Sequence, residues 1–199
     1  MEPDRGQADP RVTETLGAYH RGELSEYQLL GVLREARVLV PIVAVAADGE
    51  SEKQTEMAVP KLVGKDGREA MMAYTSLDTL RRWEPGARPV PMPMARACEA
   101  AVAENCALVL DVAGPVQVDL EGQRLAAMAS GEPVPLPDQD PEIIETVRRV
   151  APGATLDVAE HGGLIVEIAA TTYEEASRVA QQIVNALQHR LRRVDVRIR

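Results

Sequence analysis

Two cysteines, Cys98 and Cys106, are the side chains best suited to covalent chemistry in this sequence of 199 residues. On one continuous helix, a rise of about 1.5 Å per residue would place their Cα atoms about 12 Å apart. A disulfide needs Cα atoms within about 7 Å, so the two can pair only if the helix ends between them. Neither belongs to a C-x-x-C motif, the spacing that lowers a thiol pKa. We therefore expect buried structural thiols, with a cysteine nucleophile at a site between two domains as the alternative.

Metal and phosphate chemistry have no matching motif. A zinc site needs four ligands at local spacings, and His20, His161 and His189 lie far from the cysteines and from each other. The chain has neither a G-x-x-x-x-G-K-[ST] loop nor a G-x-G-x-x-G loop after a strand. His161-Gly162-Gly163 is similar to an esterase oxyanion motif, but no G-x-S-x-G elbow accompanies it, which favours a tight turn. We expect no metal and no cofactor.

A partner-binding surface is the strongest remaining candidate site. Trp83 is the only tryptophan, and it directly follows Arg81 and Arg82. Tryptophan and arginine are enriched among the residues that dominate protein–protein binding energy. If these three side chains are exposed, they form a surface for a protein partner that the sequence does not identify. The alternative is that Trp83 packs over the sheet as part of the core.

Charge disfavours nucleic acid and membrane surfaces as partners. The formal net charge is −9. Residues 1–140 carry 23 acids and 14 bases, whereas residues 141–199 carry 8 of each. A surface of this sign repels phosphate backbones and anionic lipids.

The termini and apolar runs predict a cytoplasmic protein. The first residues have neither the basic n-region nor the apolar h-region of a secretory signal. The longest apolar run, Val38 to Ala47, contains Pro41 and has ten residues. A helix of ten residues is too short to cross about 30 Å of hydrocarbon. Two cysteines also fit a reducing compartment better than a disulfide framework.

Hydrophobic periodicity and turn signals predict a first unit in the order α-α-β-β-β-α-α-β-β-α, a mixed sheet with flanking helices. Ser25 and Gln28 form a capping box, Asp66-Gly67 predicts a hairpin, and Ser76 is an N-cap. The first two predicted elements are a helix from 12 and a second helix over 27–33. They are followed by strands 38–45, 57–63 and 69–74, helix 77–83, extended segment 89–93, helix 94–105, strands 107–112 and 116–120, and helix 121–130.

A second unit follows a proline-rich linker, giving α-β-β-α-β. Asp140 caps a helix that starts at Pro141, and strands 155–160 and 164–169 meet at the turn around Gly162. Thr171 or Thr172 caps a long helix before the final strand. This order resembles part of a ferredoxin-like split unit, for which an extended segment near Val134 is a candidate first strand. The predicted boundaries are a mobile tail at 1–11, an N-terminal domain at 12–130, a linker at 131–140 and a C-terminal domain at 141–199.

Several short motifs between residues 30 and 125 resemble the SseB N-terminal domain family. They are Val40-Pro41, Tyr74-Thr75-Ser76-Leu77, Leu80-Arg81-Arg82-Trp83, and Leu108-Val109-Leu110-Asp111 before Gly114-Pro115. Tyr74 stands where the family signature has Phe. The Ala- and Arg-rich composition and the helical lead-in resemble the actinobacterial branch. The resemblance implies an α/β domain with no established catalytic residues, and it implies nothing about residues 141–199.

These observations favour a non-enzymatic, cytoplasmic protein-interaction or regulatory module. Two alternatives remain open at this point. The first is an enzyme whose site lies between the domains, and the second is a small-molecule sensor. The sensor would form homo-oligomers through the open sheet edge of the C-terminal unit.

Overall fold

The computed structural model describes residues 5–46, 55–65, 67–159, 163–188, 190–191 and 193–199. The helices are α1 (Pro10–His20), α2 (Glu26–Leu33), α3 (Leu77–Trp83), α4 (Met94–Ala103), α5 (Gly122–Ser130), α6 (Pro141–Val150) and α7 (Tyr173–Leu187). The strands are β1 (Arg37–Ala46), β2 (Thr55–Ala58), β3 (Lys61–Val63), β4 (Glu69–Ala73), β5 (Arg88–Pro93), β6 (Ala107–Leu110), β7 (Val118–Leu120), β8 (Thr155–Val158), β9 (Leu164–Ile168) and β10 (Val194–Ile198). The chain is therefore of the α+β class, as predicted.

Local capping signals begin four helices where the sequence predicts. The exception is α1, which begins at Pro10 behind an Asp9 cap, two residues before the predicted start and inside the predicted tail 1–11. Ser25 and Gln28 form the reciprocal capping box at the start of α2. Ser76 accepts a hydrogen bond from the Thr79 N–H at the start of α3, and Asp140 caps α6 in front of Pro141. Thr172, rather than Thr171, caps α7. Each of these caps satisfies N–H groups that the first turn of a helix leaves without a partner.

Two sheets form the N-terminal domain. One has the order β2-β1-β5 with antiparallel pairs, and the other has the order β3-β4-β6-β7, in which β4 and β6 are parallel. An antiparallel bridge joins the sheets, since Leu39 and Tyr74 exchange backbone hydrogen bonds of 2.8 and 2.9 Å. Gly67, in the hairpin between β3 and β4, has a φ of 79°; Asp66 lies outside the described residues.

The prediction of a single strand over 57–63 is wrong. Residues 55–58 pair with β1, whereas residues 61–63 pair with β4 in the other sheet. Pro60 lies between them and has no backbone N–H to give to a ladder. The break lets the chain pass from one sheet to the other.

The extended segment 89–93 is an edge strand, because β1 is the single neighbour of β5 among the described strands. Pro89, Pro91 and Pro93 occupy alternate positions along it. Pro91 lies opposite Leu39, whose backbone groups bond to Tyr74 instead. These prolines therefore occupy positions whose backbone nitrogen would not donate a hydrogen bond to β1. An edge strand accommodates proline at such positions.

Two cores lie in the N-terminal domain. The larger packs α1, α2, α4 and α5 on one face of the sheet, with Leu29, Met94 and Leu108 among its fully buried side chains. The smaller contains Leu39, Met72, Tyr74, Leu80 and Ala87, with Trp83 packed against it. Residues alternate between the two faces of β4, since Met71 joins the first core and Met72 the second.

The C-terminal unit has the predicted order α-β-β-α-β. Its sheet has the order β10-β9-β8, in which β8 is antiparallel and β10 parallel to β9. Ile143, Val147, Val166, Ile183 and Leu187 belong to its core. The predicted turn at His161-Gly162-Gly163 lies outside the described residues, except for Gly163.

The predicted first strand near Val134 is not formed. Residues 131–140 contain no helix or strand, and Val134 packs against the core of the N-terminal domain. Three prolines, Pro133, Pro135 and Pro137, remove the donors that a strand in the C-terminal sheet would require. In the parts of the chain that the structure describes, no helix has the length and apolar character needed to cross a bilayer.

Candidate functional site

Helix α3 carries the three side chains that the sequence singles out as a partner surface. The helix begins at the Ser76 cap, and Leu80 anchors it through complete burial in the smaller core. Arg81 and Arg82 lie in its last turn and are exposed. Positive side chains are favoured there because the C-terminal end of a helix carries partial negative charge.

Trp83 lies partly in the core and partly at the surface. Its ring stacks on Tyr74, with ring centroids 5.9 Å apart and an interplanar angle of 27°. The residue is half-buried against the smaller core. The stacking on Tyr74 orients the indole. Arg81 and Arg82 precede Trp83 in the last turn of α3, so the three predicted residues lie at one end of the helix.

A buried polar contact positions the start of α3. The Thr75 N–H and hydroxyl donate to the two carboxylate oxygens of Asp111 at 2.8 and 2.7 Å. Thr75 follows β4 and Asp111 follows β6, so the contact joins the ends of two parallel strands. We call this pair the Thr75–Asp111 clamp.

Asp111 adopts an uncommon backbone conformation, with a φ of 54°. This left-handed conformation ends β6 at Leu110, two residues before the predicted end of the strand. Aspartate tolerates the conformation better than most residues. Burial raises the pKa of the Asp111 carboxyl, and its two hydrogen bonds from Thr75 act in the opposite direction.

The segment that precedes α1 lies against the start of α3. The Leu77 N–H donates to the Gly6 carbonyl at 2.7 Å, and the Arg37 guanidinium donates to the carbonyls of Gln7 and Thr75 at 2.6 and 3.3 Å. Gly6 has a φ of 71°, and a Cβ there would lie 2.9 Å from the Leu77 Cβ. The described part of the predicted tail, from Arg5 onward, is thus placed on the α3 end of the sheet.

The two motifs that carry the family resemblance, Tyr74–Leu77 and Leu108–Asp111, meet at this clamp. Comparison with family profiles matches residues 12–127 to the SseB protein N-terminal domain. The chain belongs to the SseB family. The match covers more than half of the chain. Comparison with curated proteins and with solved structures gives no match.

The cysteines of the SseB domain are buried. Helix α4 ends at Ala103, between Cys98 and Cys106, yet both thiols are free. Burial raises the pKa of Cys98 to about 12. The Cys106 thiol contacts the Ala101 carbonyl at 3.6 Å. In the described ranges, no cluster of three or more His, Cys, Asp or Glu side chains has an arrangement suited to a metal ion.

A half-open cleft of about 1060 Å³ lies at the opposite end of the SseB sheet from the clamp. Its walls come from the β3–β4 hairpin, the end of α4 and the start of α5. Arg68 and Glu121 form an ion pair of 2.6 Å among the lining residues, and the exposed aliphatic side chains Val63 and Val102 also line it. The sequence analysis missed this cleft because its residues come from three separate segments of the chain.

A second buried polar cluster lies where the linker meets the SseB domain. Glu26 and Arg124 form a buried ion pair between α2 and α5. Close to it, the Tyr27 hydroxyl, one oxygen of Asp138 and one oxygen of Asp140 are buried without hydrogen-bond partners. We call Tyr27, Asp138 and Asp140 the seam cluster. Burial, assisted by the neighbouring carboxylates, raises the pKa of Tyr27.

Proposed function

We propose that this SseB-family protein is a non-enzymatic interaction module of the cytoplasm that binds an acidic surface of a partner protein through Arg81, Arg82 and Trp83. The observation that carries the proposal is the pair of exposed guanidinium groups beside an indole held in place by Tyr74. An aromatic ring that is already oriented loses little conformational entropy on binding, and tryptophan and arginine are enriched among the residues that dominate binding energy.

The burial of the reactive groups also supports an interaction role. Cys98 is fully buried with a raised pKa, and Asp111 is committed to both hydrogen bonds from Thr75. A catalytic thiol needs an exposed site that favours its thiolate. The surroundings of Cys98 and Asp111 therefore favour structural roles for both groups.

The experiment compares two double substitutions that remove the same charge from similar places. Arg81→Ala with Arg82→Ala changes the last turn of α3, and Arg148→Ala with Arg149→Ala changes the last turn of α6 as the control. Each tagged full-length protein is used to capture proteins from its native cytosol, and captured proteins are identified by mass spectrometry. Affinity for the captured partner is then measured with purified proteins.

The α3 variant is expected to lose the partner by tenfold or more in affinity, on the scale of about 1.4 kcal/mol, while the α6 variant retains it. Equal capture by both variants would reject the α3 surface. Recovery of the bait alone in every case would count against a protein-interaction role. Trp83→Ala is a poorer probe, because it also removes the contact with Tyr74 from the core.

The cysteine-enzyme alternative has its own test. With a pKa of about 12 and no exposed surface, Cys98 should resist iodoacetamide at neutral pH until the protein unfolds. Mass spectrometry before and after addition of urea measures the modification. Rapid alkylation of either thiol in the folded protein would instead favour a reactive cysteine.

The cleft supports small-molecule binding as a second candidate function, since its volume is close to the upper end of the range of ligand pockets. Ala126 is exposed and lines the cleft, so Ala126→Trp should obstruct it without disturbing the core. A metabolite library screened by thermal shift would then raise the melting temperature of the wild type and not that of the variant. An absence of any shift in the wild type would argue against this function.

A further inference from the structure

Strand β10 leaves one edge of the C-terminal sheet open. It pairs with β9, and no other described strand pairs with it. The Leu164 N–H donates to the Arg193 carbonyl and the Arg199 N–H donates to the Ile168 carbonyl, both at 3.1 Å. In a parallel ladder, alternate residues direct their backbone groups toward the same neighbour. The N–H and C=O groups of Val194, Val196 and Ile198 therefore point away from β9.

The opposite edge of the same sheet, β8, is blocked by its own side chain. The bond from the Ala159 N–H to the Gly163 carbonyl and the register of the hairpin direct the Val158 N–H outward. The Asp157 carboxylate accepts a hydrogen bond from that N–H at 2.8 Å. Natural sheets protect exposed edges with such charged side chains. Among the described residues, β10 has no comparable cap on its outward amides.

The side chains of β10 are complementary to a second copy of the same strand. When two copies run antiparallel with Val196 opposite Val196, Asp195 lies opposite Arg197 of the other copy, and this pair occurs twice by symmetry. Asp195 and Arg197 are exposed on one face of the sheet and have no ion pair within the described chain. They would occupy the non-hydrogen-bonded pairs, in which side chains approach most closely.

The other face of the strand pair is apolar. Val194 and Val196 pack partly against the core, whereas Ile198 is 54% exposed. In the register centred on Val196, each Ile198 lies opposite Val194 of the second copy, and the outward backbone groups form about six hydrogen bonds. At the ends of the pair, Arg193 and Arg199 would face one another, but each donates to a carbonyl of its own chain, Gly22 and Gly153.

Neighbouring registers are less favourable. A shift of two residues in one direction places Asp195 opposite Asp195 and Arg193 opposite Arg197, and like charges directly opposite destabilise a sheet. A shift in the other direction places Arg197 opposite Arg197 and Asp195 opposite Arg199, but the outward backbone groups then form about four hydrogen bonds instead of about six. A two-fold axis perpendicular to the sheet keeps α6 and α7 of both copies on the same face. Charge pairing and the number of backbone hydrogen bonds together favour the register centred on Val196.

We propose that two copies of this chain associate through β10, antiparallel and centred on Val196, to form a continuous six-stranded sheet. An interface built on five residues of an edge strand is smaller than the about 1200 Å² of stable complexes, so the dimer is weak and depends on concentration. This proposal is independent of the partner surface on α3.

The test is sedimentation equilibrium of the full-length chain across a wide range of concentrations, with charge-reversal variants. Asp195→Arg and Arg197→Asp should each weaken the dimer by about tenfold, since both symmetric pairs become repulsive at once. The double variant carrying both changes should restore wild-type affinity, because each pair is then reversed and attractive again. Val196→Pro should abolish the dimer by removing an outward N–H that β9 does not use.

Circular dichroism melting of every variant checks that the monomer remains folded, and Thr155→Arg on the β8 edge is the control for an added charge. A monomeric mass at all concentrations would overturn the proposal. So would a dimer unaffected by the single charge reversals, or a double variant no tighter than the single ones. Restored dimerisation in the double variant, with Val196→Pro monomeric, would establish the register.

Discussion

Asp111 of the Thr75–Asp111 clamp and Asp140 of the seam cluster are buried to nearly the same extent, but their carboxylate oxygens accept different numbers of hydrogen bonds. Asp111 is 3% exposed and both of its oxygens accept hydrogen bonds from Thr75. Asp140 is 1% exposed, and one of its oxygens caps α6 while the other has no partner. The first carboxylate lies inside one domain, and the second lies where the linker reaches another.

The comparison shows how location governs the completeness of polar contacts. The clamp joins two strands of one sheet, whose register fixes the positions of Thr75 and Asp111 relative to each other. The seam cluster combines side chains from α2 and from the linker, which no ladder aligns. The phenol hydrogen of Tyr27 can reach at most one of the two carboxylate oxygens that lack a protein partner, so the seam cluster holds more acceptors than its side chains can supply with donors.

The largest expected effect comes from breaking the clamp. Asp111→Ala should lower the free energy of unfolding by about 4 kcal/mol, because it leaves the Thr75 N–H and hydroxyl buried without acceptors and places alanine at a positive φ. Urea denaturation measures the loss. Asp111→Asn retains an acceptor and tolerates the backbone conformation, so it should cost about 1 kcal/mol. A loss below about 1 kcal/mol for the alanine variant would mean that the clamp is not structural.

The ion pair beside the seam cluster should have the next largest effect. Arg124→Ala leaves Glu26 partly buried without its cation and should cost about 3 kcal/mol. Arg96→Ala is the matched control, since Arg96 pairs with Glu99 on an exposed helix face. That substitution should cost less than about 0.5 kcal/mol. Equal losses in urea denaturation would contradict the distinction between the buried and exposed pairs.

The pH dependence of stability separates the clamp from the other carboxylates. Burial raises the pKa of Asp111 above its ordinary value of 3.8 in the folded protein. Such a group contributes stability that is fully present below its unfolded pKa and is lost as the pH rises through its folded pKa. The free energy of unfolding of the wild type should therefore fall relative to that of Asp111→Asn as the pH rises above 3.8. A difference that stays constant or rises would reverse the assigned direction.

The same contrast explains which parts of the fold the sequence could predict. Helix starts depend on residues within four positions of one another, so Ser25 with Gln28 and Asp140 with Pro141 placed them correctly. The α-β-β-α-β order of the C-terminal unit followed from periodicity and turns. Caps, turns and hydrophobic periodicity depend on residues close together in the sequence, so the sequence alone is enough to predict them.

Long-range contacts gave no such signal. Thr75 and Asp111 are 36 residues apart, and the local sequence around either residue does not predict a contact with the other. Pro60 indicates where the strand is interrupted, but the pairing of 55–58 with one sheet and of 61–63 with the other depends on distant strands. For the α3 surface, the sequence predicted the proximity of Arg81, Arg82 and Trp83, but not the stacking on Tyr74 that orients the indole. Their role in partner binding stays a prediction.

The smallest effect is expected for a substitution in the seam cluster. It is compared with a substitution in the Thr75–Asp111 clamp, and each of the two removes one hydroxyl. Tyr27→Phe deletes a buried hydroxyl that has no partner, so the free energy of unfolding should change by less than about 0.5 kcal/mol or rise. Thr75→Val deletes a hydroxyl bound to a carboxylate and should cost about 2 kcal/mol. Urea denaturation of the two variants in one buffer measures the difference. A loss above about 1.5 kcal/mol in Tyr27→Phe would show that the phenol donates to Asp138 or Asp140 in solution, and the seam would then be as well satisfied as the clamp.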